Sequence, residues 1–268
     1  MNYDQLRFPR FKQGPIVMAT KDGSPKEETD SLLVNSYMGR HVIEKPEYWP
    51  KLLKMLYENG RMQTYAGAIE DIVDKFSFLL LARDQIEHLE SITLPDKRFH
   101  IKYFTYTFVF MEKAFLDSVA VFINEIYLLK FHGGGIDLKK EKFLQAIKNT
   151  DMELGKAIDS KRKWLEYVVK YRNNLIHKHG LYIGALPTIP EDMKDPFEQS
   201  NFILQEHSYM PINPDDIDDE LILRKKGEFI KVTCLVDDWI QESLDLFDIV
   251  LRSFSSQFER MNEVKSNL

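Results

Sequence analysis

The fold turns on Tyr65-Ala66-Gly67-Ala68-Ile69-Glu70-Asp71-Ile72-Val73-Asp74-Lys75-Phe76-Ser77-Phe78-Leu79. Its large apolar residues, Tyr65, Ile69, Ile72, Phe76 and Leu79, recur every three or four positions, and Ile86 keeps the phase. That period places them on one stripe of an α-helix, the spacing of a bundle helix rather than of a strand. The pattern predicts a helix from about Gln63 to Ile92, stopped by Pro95. At the far end of the chain, Val236, Ile240, Phe247, Val250, Phe254, Phe258 and Met261 repeat it, predicting a final helix over about 233–261.

Between these lies a third long helix, expected over about 98–131. It is apolar on most faces and is read as a buried central helix. Glu112, Lys113 and Asp117 interrupt its Tyr103–Ile123 core, which argues against a membrane span. Gly133-Gly134-Gly135 reads as a helix stop and linker; no Lys-Ser or Lys-Thr follows it to make a phosphate loop. A short helix is expected over 139–148, and Thr150 with Glu153 reads as a capping box for a further helix ending at Gly180. A first helix is expected to begin between Pro46 and Pro50 and to stop at Gly60. Residues 1–45 read as an N-terminal arm, with a short strand at Pro15–Ala19 and a polar turn over Lys21–Thr29. Residues 181–232 read as an acidic, proline-rich insertion, in which Leu221–Leu223 and Phe229–Val232 flank Lys226-Gly227 as a hairpin. The expectation is an all-α antiparallel bundle of four or five main helices over 46–268, with the arm and the β-hairpin-containing insertion attached.

The chain has 268 residues, with 44% hydrophobic and 29% charged, ordinary for a protein that buries a full core. Met1 to Gly14 has basic residues but no apolar run after them, so it is not read as a signal peptide, and the expected compartment is the cytoplasm. A single cysteine, Cys234, excludes an internal disulfide and reads as a small core filler. A net charge of −6 does not advertise a nucleic-acid binder. The distribution is uneven, however. Between Leu138 and Gly180, eleven Lys or Arg face five acids, whereas Pro187–Ile222 carries ten acids and one base, Lys194. A basic stretch of this kind either binds an anion or merely coats solvated helix faces.

Inside that basic stretch the chain reads Tyr171-Arg172-Asn173-Asn174-Leu175-Ile176-His177-Lys178-His179-Gly180. On a helical wheel Leu165, Val168, Val169, Ile176 and His179 share a side, and Arg172 falls near the middle of that stripe. Such an arginine must find a partner, reach an interface or snorkel to water. Asn173 and His177, four apart, share a flank. A permanent cation, an amide and an imidazole on one short helix suit a phosphodiester. RNA carries its own nucleophile, the 2′-hydroxyl, so His177 as acid/base and Arg172 as a bidentate phosphate clamp would suffice, with Asn173 orienting either one. Lys170, Lys178 and His179 are candidate phosphate contacts. The plainer reading makes Arg172 a structural ion-pair partner of Glu112 or Asp117, and His177 a cation favoured by the helix C-terminus.

Arg172-Asn173 followed by His177 resembles the Arg-x4-His motif of the HEPN superfamily (higher eukaryote and prokaryote nucleotide-binding domains), and the chain is similar to its larger, divergent bacterial members. The resemblance covers residues 46–180 and the C-terminal helix. It implies a helical bundle in which Arg172 and His177 are catalytic and two protomers join their motifs in one cleft. The implied activity is metal-independent endoribonuclease cleavage to a 2′,3′-cyclic phosphate, in a toxin-antitoxin or phage-defence setting. It also admits a non-catalytic nucleotide- or RNA-binding or dimerisation module. The position two after the histidine, a tyrosine in HEPN toxins paired with a nucleotidyltransferase antitoxin, is His179 here. The partners expected are therefore RNA or a nucleotide, a second copy meeting at the Arg172/His177 face, and a defence or antitoxin partner of unknown identity. No membrane partner is expected.

No metal or cofactor is called for by the sequence. On a helix His177 and His179 point roughly 200° apart. None of the seven histidines has Glu or Asp three residues before it, which removes the Glu-x-x-His element of di-iron bundles. Cys234 alone makes no zinc site.

Overall fold

The computed structural model describes residues 62–92, 94, 96–177, 183, 208–211 and 229–266, together with two short strands at 18–19 and 25–26. The helix expected over 46–60, the strand at 221–223, and Lys178, His179 and Gly180 lie outside the described residues. Six α-helices are described: α1 (Met62–Glu90), α2 (Lys97–Ile126), α3 (Glu141–Thr150), α4 (Met152–Ser160), α5 (Arg162–His177) and α6 (Val232–Ser266). Two antiparallel ribbons complete the described structure: β1 (Met18–Ala19) with β2 (Pro25–Lys26), and β3 (Tyr209–Pro211) with β4 (Phe229–Lys231). The protein is thus an all-α bundle with small β additions, as the periodicity predicts. Among the described residues no helix is long and apolar enough to cross a membrane.

Two compact units form. One takes Met1–Phe78, Ala114–Arg162 and Glu242–Leu268, the other Leu79–Lys113 and Lys163–Gln241. Helices α1, α2 and α6 each contribute a segment to both. In the first unit Phe76 meets Phe115 at 5.6 Å between ring centres, and Phe115 meets Phe247 at 6.3 Å. Phe122 packs edge-on against Phe254 at 5.5 Å. The rings of α1 and α6 belong to the stripes read from sequence, those of α2 to the helix read as apolar on most faces, and each is fully or almost fully buried. Burying one phenylalanine contributes about 1.5–3 kcal/mol, so such a ladder dominates the stability of the unit.

Helix α2 stops at Ile126, five residues before the sequence suggests. Leu128 and Lys130 adopt left-handed backbone, with φ of 51° and 61°. The Asn124 side chain accepts from the Phe131 amide at 3.0 Å and donates to its carbonyl at 3.3 Å. The amide side chain thereby substitutes for the missing helical bonds and turns the chain, something composition does not show. The glycine run follows as a single 3₁₀ turn, with Gly133 at φ 49°. Helix α2 also departs from the buried helix expected: Phe99, Tyr103, Phe110 and Val121 are exposed.

Instead of one long helix after residue 150, the chain makes two. Asp151, not Thr150, is the cap: its carboxylate accepts from the Leu154 amide at 2.9 Å, while the Thr150 hydroxyl donates back to Ala146. Asp151 Oδ2 also accepts from Tyr127 at 2.9 Å and from Ser253. Burial works against its charge, but these hydrogen bonds outweigh it and hold the carboxyl below the ordinary range. Gly155 is required where α4 crosses α3, because an added Cβ would lie 2.8 Å from the Lys148 Cα. Helix α4 closes at Lys161, and α5 begins at Arg162 as a separate helix.

Phe229–Lys231 is a strand, as expected, and it pairs with Tyr209–Pro211, Met210 opposite Ile230; the other strand of the expected hairpin, 221–223, lies outside the described residues. Ser208 fixes that ribbon: its amide donates to Glu90 at 2.8 Å, and its carbonyl accepts from Val232 at 2.9 Å. Pro25–Lys26 is likewise strand where a turn was expected. Cys234 is exposed rather than a core filler, because the buried side of α6 at that end is Val232, Leu235, Val236 and Trp239.

Candidate functional site

Helix α5 is amphipathic, and its phase decides which side chains can meet a ligand. Its buried residues are Trp164, Leu165, Val168, Tyr171 and Asn174. The stripe is therefore rotated from the Leu165/Val168/Ile176 face expected, and Ile176 is 43% exposed. Trp164 and Tyr171, seven apart with Val168 between them, are the sequence signal for the true phase. An aromatic pair buries more area than Ile176 could, so it wins the core side.

Tyr171 locks the helix in this rotation. Fully buried, it packs edge-on against Trp239 at 5.4 Å and donates its hydroxyl to the Pro211 carbonyl of β3. Trp239 in turn meets Phe108 at 6.1 Å. Described parts of the acidic insertion thus seat the helix that carries the motif, a role the sequence does not reveal. Asn174, 5% exposed, is a second buried polar anchor that the motif reading passed over.

With Tyr171 turned inward, its neighbour must turn out. Arg172 lies half-buried at the edge of the apolar face, not at its centre, and Asn173 and His177 are exposed. Among the described residues no carboxylate is within ion-pairing distance of Arg172, neither Glu112 nor any other. Its guanidinium Nη1 donates instead to Asn173 Oδ1 at 3.2 Å. Positions 172 and 177 are five apart and so diverge by about 140° around the helix, but 173 and 177 share a flank. The bond to Asn173 therefore bends the arginine toward the histidine's side. His177 stands in the last turn, where the helix end favours a cation. Lys170 is exposed on the same helix; Lys178 and His179 lie outside the described residues.

Four other cations of the basic stretch are held by carboxylates. Lys148 pairs with Asp159 at 2.7 Å, Lys156 with Glu153 at 3.2 Å, and Lys161 with Glu242. Arg162 reaches Glu141 at 2.6 Å and Asp159 at 3.0 Å. Those two carboxylates raise its pKa, the Glu141 hydrogen bond most. Among the described residues no group of three or more His, Cys, Asp or Glu is placed to hold a metal ion.

The class defined so far is an all-helical protein with an Arg-Asn-x3-His surface at the end of one bundle helix. No family model, no curated protein and no solved structure matches the chain.

Proposed function

We propose that the protein is a metal-independent endoribonuclease of the HEPN type, acting on RNA in a defence or toxin-like role in the cytoplasm. The observation that carries this reading is the Arg172–Asn173 bond. It leaves a guanidinium held by no described carboxylate and turned to the flank of an exposed imidazole. In the reaction proposed, His177 takes the proton of a 2′-hydroxyl and that oxygen attacks the adjacent phosphorus. The bond to the 5′-oxygen breaks, leaving a 2′,3′-cyclic phosphate and a 5′-hydroxyl once that oxygen is protonated. Arg172 holds the non-bridging oxygens and binds them more tightly as negative charge builds. Asn173 positions the guanidinium, and Lys170, Lys178 and His179 supply contacts to flanking phosphates. A second protomer would provide the second acid/base group where pairing, through whichever helix, brings the two motifs into one cleft.

The 140° divergence of positions 172 and 177 favours a second reading, a non-catalytic module that ligates RNA or a nucleotide through Arg172 without cleaving it. Incubating labelled RNA with the parent, Arg172→Ala and His177→Ala, in EDTA, separates the two. Cyclic-phosphate products from the parent alone support the nuclease. Retention of RNA without cleavage, lost in Arg172→Ala, supports the module.

A further inference from the structure

The solvent side of α2 carries large rings where a bundle helix ordinarily carries charge. Phe99 is 71% exposed, Tyr103 60% and Phe110 38%, and Tyr106 is half-buried beside them with the Lys102 ammonium 5.5 Å from its ring centre. Asp96, whose carboxylate also bonds His100 at 2.9 Å, stands exposed before the first ring, and Lys113, half-buried, follows the last. The six positions 96, 99, 103, 106, 110 and 113 advance by three, four, three, four and three. That is the seam of a two-helix coiled coil, about 25 Å long.

The order of residue types along the seam is self-complementary. It runs acid, Phe, Tyr, Tyr, Phe, base, so it matches its own reverse with the charges exchanged. A two-fold axis crossing between Phe104 and Thr105 sets Phe99 on the partner's Phe110 and Tyr103 on the partner's Tyr106. The same axis sets Asp96 on the partner's Lys113, and each contact occurs twice, as an isologous interface requires. We propose that this face of α2, from Asp96 to Lys113, binds a second copy of the chain as an antiparallel helix pair. A single strand of nucleic acid fits less well. Its phosphates would meet Asp96 at one end, and nothing in stacking on bases calls for the symmetry of the seam. The inference does not depend on the ribonuclease reading and assigns pairing to a helix other than the one bearing Arg172.

Sedimentation equilibrium of the full chain across micromolar concentrations tests it, with circular dichroism to verify folding. The parent should be a dimer, and Tyr103→Glu a folded monomer. Asp96→Lys and Lys113→Asp should each weaken association about tenfold, since each sets like charges opposite twice, and combining them should restore it. Arg172→Ala with His177→Ala should leave the dimer intact. A parent that is monomeric throughout overturns the proposal, as does a double exchange no tighter than either single one. A dimer that survives Tyr103→Glu but dissociates with Arg172→Ala and His177→Ala places the interface on α5 and also overturns it. So does a monomeric parent whose oligouridine binding is lost in Tyr103→Ser, which makes the face an RNA platform.

Discussion

Residues 139–162 and residues 163–177 are both basic, and their cations meet different fates. In the first stretch Lys148, Lys156, Lys161 and Arg162 are spent on carboxylates, one of them on α6, so the charge of these four is structural. In the second, Arg172 reaches only an amide among the described residues, and Lys163 lies over the Tyr167 ring at 5.8 Å. Arg83 sharpens the contrast. Though 5% exposed, it bonds Asp84 at 2.6 Å and Asp237 at 2.9 Å, with Glu87 at 3.0 Å but off the hydrogen-bonding line. Burial opposes its charge, and the bonds to Asp84 and Asp237 outweigh burial and raise its pKa. A basic residue therefore says little about ligands until its carboxylates are known.

The largest effect expected concerns the second stretch. His177→Ala should lower RNA cleavage by roughly 10²- to 10⁴-fold, the usual worth of a positioned acid/base, measured as initial rates in EDTA. Arg172→Lys should fail to restore the activity lost in Arg172→Ala, because an ammonium lacks the planar fork. A DNA substrate of the same sequence should stay intact, lacking the 2′-hydroxyl. Unchanged cleavage by His177→Ala breaks the contrast at its functional end.

In the first stretch the effects should fall on stability alone. Gly155→Ala sets a methyl against the Lys148 backbone, and urea unfolding should show a loss of about 2–3 kcal/mol. Asp151 gives a pH signature. Its folded pKa is depressed, so its contribution is present above the unfolded value of about 3.9 and is lost as pH falls through the folded value. Asp151→Asn should flatten the acid limb of a plot of stability against pH, and an unchanged limb would remove the carboxylate from the hub. Smallest of all, Lys156→Ala should shift stability by under about 0.5 kcal/mol, since its pair with Glu153 is exposed on both sides. Arg172→Ala should be as mild in unfolding, because nothing described depends on it; a large loss there would make Arg172 structural.

Much of the fold was legible because helical stripes are local. Ile69, Ile72, Phe76 and Leu79 on α1, and Val236, Ile240, Phe247 and Val250 on α6, are all buried as their spacing requires. The stripe of α5 was misread by one position because Ile176 and Trp164 compete for the core side, and only the partners Trp239 and Pro211 decide between them. Helix ends were misplaced for a similar reason. Asn124 and Asp151 act through side-chain bonds whose geometry no propensity encodes.

The sequence by itself determined the all-helical class, the phase of α1 and α6, and the proximity of Arg172, Asn173 and His177 along one helix. These follow from a fixed 3.6-residue period and need no partner. Tertiary structure alone decided that Arg172 faces outward, that Lys161 is neutralised by Glu242 of α6, that β4 pairs with β3, and that a self-complementary aromatic seam of α2 faces outward. Each of these depends on a residue tens of positions away, and a one-dimensional pattern carries no information on which distant carboxylate, carbonyl or ring will arrive.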